Sequence, residues 1–444
     1  MSGIIGVYSR EKYDVSQIAY YGLYALQHRG QISCGMAVNN NGFIDYFKGL
    51  GLINEAFSQD ALNKLIGNIA IGHVRYASSH EGKDGNNIQP LVSGYKKGAL
   101  AISLDGRIIN SDKLREELEA EDVLFQSDSD AEVIAKLIAK FSHMPFEEAL
   151  LQAISQIKGS YSFIIMTQDK LIGARDPFGL KPLSLGKLGN DYVLASESCA
   201  FDTIGGEFIR DVEPGEVLLI DEKGVSTLTK GFQKRNHCLF EFIYFARPDS
   251  YLDGRSVYLS RIEAGKQLYR EQITEADLVI GAPDSGIEAA IGYAEESKIP
   301  YGEGLIKNRY VGRTFIQPTQ QMREKGVRIK LNALSENIKG KRIVLVDDSI
   351  VRGTTIKRTI QILRSAGAKE VHVRISSPPV INTCYLGIDT PNKDSLIAAN
   401  MTVEEISKMI GADSLYYLSL EGLMKAAGDH KGFCNGCFGG QYPI

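Results

Sequence analysis

Residues 342–355 read R342-I-V-L-V-D-D-S-I-V-R-G-T-T355. Ile343–Val346 is a short apolar run of the kind that forms a buried strand in a parallel sheet. It ends in Asp347 and Asp348. A loop then leads to Gly353-Thr354-Thr355 and to a helical pattern with apolar residues at 356, 360 and 363. Open α/β sheets bind ligands beyond the carboxyl ends of their strands, which is where this acidic pair falls. Backbone N–H groups at the helix start, with nearby Ser and Thr hydroxyls, form a cradle for a phosphate. Paired carboxylates just upstream suit ribose hydroxyls and a hydrated Mg²⁺. A solvated acidic turn before a helix is the plainer alternative, and the G-x-x-x-x-G-K-[ST] pattern of a Walker A loop is absent.

Outward from this stretch, the second half alternates strands and helices. Asp277–Gly281 leads to a helix over 287–295, Arg342–Val346 leads to one over 356–366, and the strand Glu370–Ile375 follows. Such alternation predicts a parallel, doubly wound sheet. The first half has another grammar. Apolar or alternating runs at Ile4–Tyr8, Ile69–Val74, Ala99–Leu104, Tyr161–Thr167 and Glu216–Ile220 are separated by Gly, Asn and Asp. Amphipathic helices fit 15–27 and 131–140. Many strands without strict alternation predict an α+β layered domain. The polar stretch Lys230–His237 places the boundary near residue 235.

At 444 residues the chain is long enough for two or three domains. A net charge of −4 leaves no footprint for nucleic acid or an anionic membrane. No apolar run is long enough to span a bilayer, and Arg10, Glu11 and Lys12 come too early for a secretory signal. The expected address is cytoplasmic. Six cysteines there read as thiols or metal ligands rather than disulfides. By spacing alone, Cys434-N-G-Cys437 is half of a zinc site, a redox pair or an accident. Cys34 and Cys199 read as buried apolar residues. The histidines show no metal-type pairing, and none is assigned a catalytic role. Met1 precedes a small residue, so aminopeptidase action would leave a free α-amine on Ser2.

The acidic pair followed by G-T-T resembles the phosphoribosyl pyrophosphate (PRPP) motif of type I phosphoribosyltransferases. The whole chain resembles the glutamine PRPP amidotransferase family. The resemblance runs through Q27-H-R-G-Q31, H73-V-R-Y76, N87-I-Q-P90, R175-D-P-F-G179, I280-G-A-P-D-S285 and K307-N-R-Y-V-G-R-T-F-I316 to the C-terminus. It implies an N-terminal-nucleophile (Ntn) glutamine amidotransferase domain over 2–235 and an α/β type I phosphoribosyltransferase domain over 236–444. In such proteins ammonia passes between the two through an internal channel. The implied PRPP loop is Ser349–Thr355, including Gly353, Thr354 and Thr355. Mg²⁺ would be held by Ser285, Asp347 and Asp348, and a loop from Lys307 to Arg313 would close over PRPP. Arg75 and Asp130 match residues that grip glutamine. Cys238, Cys384, Cys434 and Cys437 match the ligands of a [4Fe–4S] cluster carried by some members. Purine-nucleotide inhibition and a homotetramer are also implied.

Two positions depart from the family pattern. Ser2 stands where the nucleophilic cysteine belongs, and L104-D-G106 replaces the H-N-G segment whose Asn and Gly form the oxyanion hole. Thiolates outperform hydroxyls as nucleophiles near neutral pH. An ionised Asp105 beside Gly106 would place negative charge where the oxyanion develops. The expectation is a phosphoribosyltransferase that uses ammonia, with an impaired or silent glutaminase. The alternatives are a slow, serine-dependent glutamine enzyme and a non-catalytic PRPP-sensing protein.

Overall fold

A computed structural model describes residues 2–76, 85–231, 235–308, 331–428 and 432–444. Arg313 lies outside the described residues. In the first half, glycine and asparagine turns return short apolar strands on themselves, so they pair as two antiparallel sheets. The strands are β1 (Ser2–Tyr8), β2 (Ser33–Asn40), β3 (Phe43–Leu50), β4 (Ile69–Arg75), β5 (Leu91–Tyr95), β6 (Gly98–Ile108) and β7 (Gly159–Met166). They continue with β8 (Leu171–Arg175), β9 (Ser184–Leu188), β10 (Asp191–Ala195), β11 (Glu207–Asp211), β12 (Val217–Asp221) and β13 (Gly224–Thr229). One sheet has the order β11-β9-β10-β1-β4-β2-β3 and the other β13-β12-β8-β7-β6-β5.

The alternation of side chains along each strand builds the layers. From β1, Ile4 meets Ile71, Ala101 and Ile164 between the sheets. Its neighbours Ile5 and Val7 face Ala19 and Leu23 of the helix Ser16–Ala25. On the far side, Ile102, Leu104, Phe163 and Ile165 pack against Leu114, Ile134 and Leu150 from three further helices. The result is a helix–sheet–sheet–helix sandwich whose central strands, β1, β4 and β7 among them, are buried on both faces. This is why β1 reads as an apolar run rather than an alternating one.

The second half holds a parallel sheet in the order Leu278–Gly281, Arg342–Asp347, Glu370–Ile375, Ser414–Tyr417. Val279, Val344 and Val346 face the helices Val257–Glu271 and Ile287–Ser297. Ile280, Ile343 and Leu345 face Thr354–Ser365 and Val403–Ile410. Helices on both faces explain the unbroken apolar strand from which the reading began. A short parallel ladder joins His237–Cys238 to Phe433–Cys434, tying the C-terminal region to the start of this half.

Two boundaries differ from the sequence expectation. The first helix stops at Ala25 and is followed by a 3-10 turn over Gln27–Arg29, which points Arg29 into the protein. Strand β6 runs through Asp105 and Gly106 to Ile108 instead of ending at Leu104. Gly106 sustains it with a φ of +133°, and a Cβ there would lie 2.0 Å from the Ser160 carbonyl oxygen. Only glycine fits that position.

Candidate active site

Two centres take shape, one in each half. At the second, the strand Arg342–Asp347 delivers Asp347 at its carboxyl end, with Asp348 next. Ser285, from the loop after the neighbouring strand, donates to Asp348 Oδ1 at 2.7 Å, and Ser349 donates to Oδ2 at 2.5 Å. The Asp348 N–H donates to Asp347 Oδ1 at 2.9 Å. Burial, reinforced by the adjacent Asp348 charge, pushes the Asp347 carboxyl well above the ordinary carboxylate range. Gly353 caps the helix Thr354–Ser365, and Thr354 and Thr355 are exposed at its start. Lys307 pairs with Asp284, beside Ser285. The structure thus gathers Ser285, Lys307, Asp347, Asp348, Ser349, Gly353, Thr354 and Thr355 around one sheet edge.

The first centre lies at the start of β1. Ser2 stands opposite Arg75 on β4, while Asp105 reaches it from the other sheet. The Ser2 N–H donates to Asp105 Oδ1 at 2.8 Å. The Asp105 carboxylate is therefore turned toward the nitrogen that would serve as catalytic base, a more specific arrangement than the charge near an oxyanion that the sequence suggests. Burial alone would raise the Asp105 pKa, but Lys181, Arg29 and the nearby N-terminal charge together lower it. Arg75 Nη1 donates to the Asn87 carbonyl at 2.9 Å, and Asp130 Oδ2 accepts from the Ile108 N–H at 2.8 Å. Arg107 Nε lies 3.8 Å from the same Asp130 oxygen. Asn87 Oδ1 accepts from the Asp128 N–H at 3.0 Å, so Asn87 links the Arg75 side chain to the turn that precedes Asp130.

Sequence reasoning missed the ions behind Ser2. Arg29, from the Q27-H-R-G-Q31 segment, binds Glu197 at 2.6 Å, Glu241 at 2.8 Å and Asp105 at 3.3 Å. Its Nε donates to the Ser2 carbonyl at 2.9 Å. The side chains of Arg29, Asp105, Glu197 and Glu241 are fully buried. The available signal was charged residues inside apolar surroundings, but no spacing rule joins positions so far apart. His73, behind Leu104, is brought down to about 3 by burial and the neighbouring Arg75, and so stays neutral. Cys34 and Cys199 are wholly buried, as expected.

The other four cysteines come from three segments. Cys238 and Cys434 are register partners. The Cys437 carbonyl accepts from the Ile381 and Asn382 N–H groups at 3.0 and 3.1 Å, which docks the Cys384 loop. Burial pushes the Cys434 thiol up to about 11, with a further push from Cys384. Cys384 and Cys434 act in the same sense on Cys437. The Tyr442 ring covers this group. Its hydroxyl donates to the Thr383 carbonyl at 2.8 Å, and a Cβ on Gly436 would lie 2.4 Å from the ring. Among the described residues, no three His, Cys, Asp or Glu side chains form a group able to hold a single metal ion. Neither expected metal site is therefore preformed as a compact single-ion cage.

The oxygen donors of Ser285, Asp347 and Asp348 nevertheless suit Mg²⁺, which takes one or two carboxylates and keeps waters or substrate phosphates for the rest. The four thiols, Cys437 buried and Cys238, Cys384 and Cys434 half-buried, have the donor chemistry of an iron–sulfur group.

A model of the glutamine amidotransferase domain matches residues 73–203, and one of the phosphoribosyl transferase domain matches 249–376. An amidophosphoribosyltransferase of Archaeoglobus fulgidus is 49% identical over 453 residues, covering 100% of this chain and 98% of its own length. A solved structure described as the allosteric regulatory enzyme of purine biosynthesis has a TM-score of 0.93 at 47% identity, covering 99% of this chain and 96% of that one. Glutamine PRPP amidotransferase from B. subtilis, complexed with ADP and GMP, has a TM-score of 0.93 at 48% identity, covering 99% and 97%. The two halves are thus an Ntn-type glutamine amidotransferase domain and a type I phosphoribosyltransferase domain, and the chain belongs to the amidophosphoribosyltransferase family.

Proposed function

We propose that this chain makes 5-phosphoribosylamine from PRPP with ammonia as the nitrogen donor, at the first step of purine synthesis. The observation that carries the choice of donor is the 2.8 Å contact between the Ser2 nitrogen and Asp105. An Ntn glutaminase needs its α-amine neutral, so that it can take the nucleophile's proton. A free α-amine titrates near ~7.7–8.0. A buried carboxylate beside it favours the charged ammonium, which has no lone pair to accept a proton. The weak nucleophile and the occupied base act together.

At the other centre the chain's task is positioning. Asp347, Asp348 and Ser285 would hold Mg²⁺ against the pyrophosphate, and the metal would neutralise the leaving group's charge. The loop from Ser349 to Thr355 would take the 5-phosphate at the helix start. Nitrogen bonds to C1 of the ribose as the C1–O bond to pyrophosphate breaks, and the nitrogen then sheds a proton to solvent. Lys307, and Arg313 in the segment beyond it, would close over the substrate and exclude water. Cys238, Cys384, Cys434 and Cys437 would hold a [4Fe–4S] cluster that cross-links three distant segments.

The boundary at 235, the grip of Arg75 and Asp130 on an amino acid, inhibition by purine nucleotides, a homotetramer and a cytoplasmic location belong to the same reading. The relative solved with ADP and GMP supports the nucleotide inhibition, and no helix among the described residues is long and apolar enough to cross a membrane. The test is to give purified protein PRPP and Mg²⁺ with either glutamine or an ammonium salt, following pyrophosphate and glutamate. Pyrophosphate release with ammonium alone is expected. Glutamate formed in step with turnover would establish the serine-dependent alternative instead, and no turnover with either donor would favour the PRPP sensor.

A further inference from the structure

We propose that Arg261 is a positioning residue for the PRPP edge, set in place by a π-helical turn that the first half of the chain also grips. The inference rests on the reading of Ser285, Asp347 and Asp348 as a PRPP site, and adds a residue that acts on them through others.

The turn is Glu241–Phe245, just past the Cys238 ladder. Its closing bond runs from the Ala246 N–H to the Glu241 carbonyl at 3.0 Å. Wide turns of this kind are rare and recur at functional sites. The next N–H in line, that of Arg247, leaves the turn and donates to Glu197 Oε2 at 2.9 Å. The Phe242 carbonyl thereby loses its helical partner, and a buried carbonyl has to find another. Arg261, from the helix Val257–Glu271, supplies it. Its Nε donates to the Phe242 carbonyl and its Nη2 to the Ala246 carbonyl, both at 2.8 Å.

From the first half, Glu197 and Arg29 hold the same segment. Glu197 also accepts from Ser250 Oγ at 2.6 Å, and Arg29 binds both Glu241 oxygens, at 2.9 and 2.8 Å. The remaining Arg261 nitrogen, Nη1, lies 3.7 Å from Glu288 Oε2, an oxygen without a hydrogen-bond partner among the described residues. Glu288 sits in the first turn of the helix Ile287–Ser297, shortly after Ser285, whose hydroxyl donates to Asp348. Gly265 and Gly292 let the two helices meet backbone to backbone. A Cβ on either would lie 1.9 Å from a carbonyl oxygen of the other helix. Arg261 and the start of the second helix therefore shift together. The charges of Glu288, Asp348 and Glu197 all act on the Arg261 guanidinium in the same sense.

A guanidinium can span two carbonyls because its donors lie in a fixed planar fork, which an ammonium does not reproduce. Arg261 thus sets the turn and the Ser285 end of the PRPP edge at one spacing. A displacement of about 1 Å at a reacting edge costs up to ~10²-fold, even when the mutation is distant.

The experiment measures Mg²⁺–PRPP binding to the full chain by titration calorimetry, with thermal melting and ammonium-dependent pyrophosphate release in parallel. Arg261→Lys keeps the charge facing Glu288 and removes the fork. Its Kd for PRPP should rise about tenfold, the scale of coupling within one network, while kcat changes by less than about threefold. Glu197→Gln, at the far end of the chain of contacts, should raise the Kd about threefold in the parent and add nothing in Arg261→Lys. Ser250→Ala is the milder break at the same acceptor and should show the same dependence. An unchanged Kd in Arg261→Lys, with or without a lower melting temperature, would overturn the inference, as would additive effects of the paired substitutions. A parent chain that binds PRPP without releasing pyrophosphate would refute the ammonia-dependent reading alone, and one that binds no PRPP would overturn both.

Discussion

The two centres of this chain handle buried negative charge in opposite ways. At the phosphoribosyltransferase edge, Asp347 and Asp348 lie side by side, and burial with mutual repulsion lifts Asp347 far above its ordinary range. Such a pair has the donor chemistry that suits a divalent cation. At the amidotransferase centre, Asp105 and Glu197 are held below their ordinary range despite complete burial, Asp105 by Lys181 and Arg29, Glu197 by His28 and Arg29. That centre is already neutralised by its own side chains. Asp347 is governed by burial and a neighbouring like charge, whereas Asp105 and Glu197 are answered by neighbouring cations.

This contrast can be broken most sharply at the acidic pair. The Asp347→Asn/Asp348→Asn variant should lose on the order of 10³-fold or more in ammonia-dependent kcat/KM, since metal-assisted charge neutralisation is worth several kcal/mol. Steady-state pyrophosphate release measures it, and retention of full activity would remove the site assignment. Next in size is the reverse experiment. Restoring Ser2→Cys together with Asp105→Asn frees the base and supplies a donor, so glutamate formation should rise by ~10²–10³ over the unmodified chain. No gain would mean that the pocket rim around Arg75 and Asp130 has also drifted.

A stability comparison comes third. Gly436→Ala drives a methyl group toward the Tyr442 ring and should destabilise by ~1–3 kcal/mol, read from urea unfolding. The smallest effect bears most directly on the contrast. A carboxyl with a raised folded pKa weakens the fold when ionised, and stability returns as pH falls through that value. Asp347→Asn should therefore stabilise the metal-free protein at pH 7, by about 1 kcal/mol. Asp105 and Glu197 have the opposite sign. Their contribution is present above ~4 and is lost as pH falls toward their depressed folded values. An acid titration of stability in Asp105→Asn should show a shallower fall below pH 4 than the parent chain.

The parallel sheet and its acidic edge were legible because a four-strand α/β core imposes local rules: an apolar strand, a turn, then a helix start. The layered first half was legible only in outline. The β2–β3 hairpin turns on Asn41-Gly42, both at positive φ, a dipeptide that favours this turn and was available to be read. β6 was read too short because a glycine beside an aspartate looks like a turn, while in the fold Gly106 keeps the strand extended against Ser160. Ser2 and Asp105 were each visible as departures. Their contact was not, since it crosses from one sheet to the other, and the Arg29 network behind them depends on that same crossing.

The ladder between His237–Cys238 and Phe433–Cys434 has a consequence for biosynthesis. Cys238 leaves the ribosome almost two hundred residues before its partner Cys434. At ordinary elongation rates of ~5–20 residues per second, that interval is on the order of 10–40 s. The amidotransferase sandwich can complete itself during this time, because its strands all precede residue 230. The junction that follows stays an open thiol-bearing edge until Phe433 and Cys434 emerge, and is a natural place for a chaperone to act on the nascent chain.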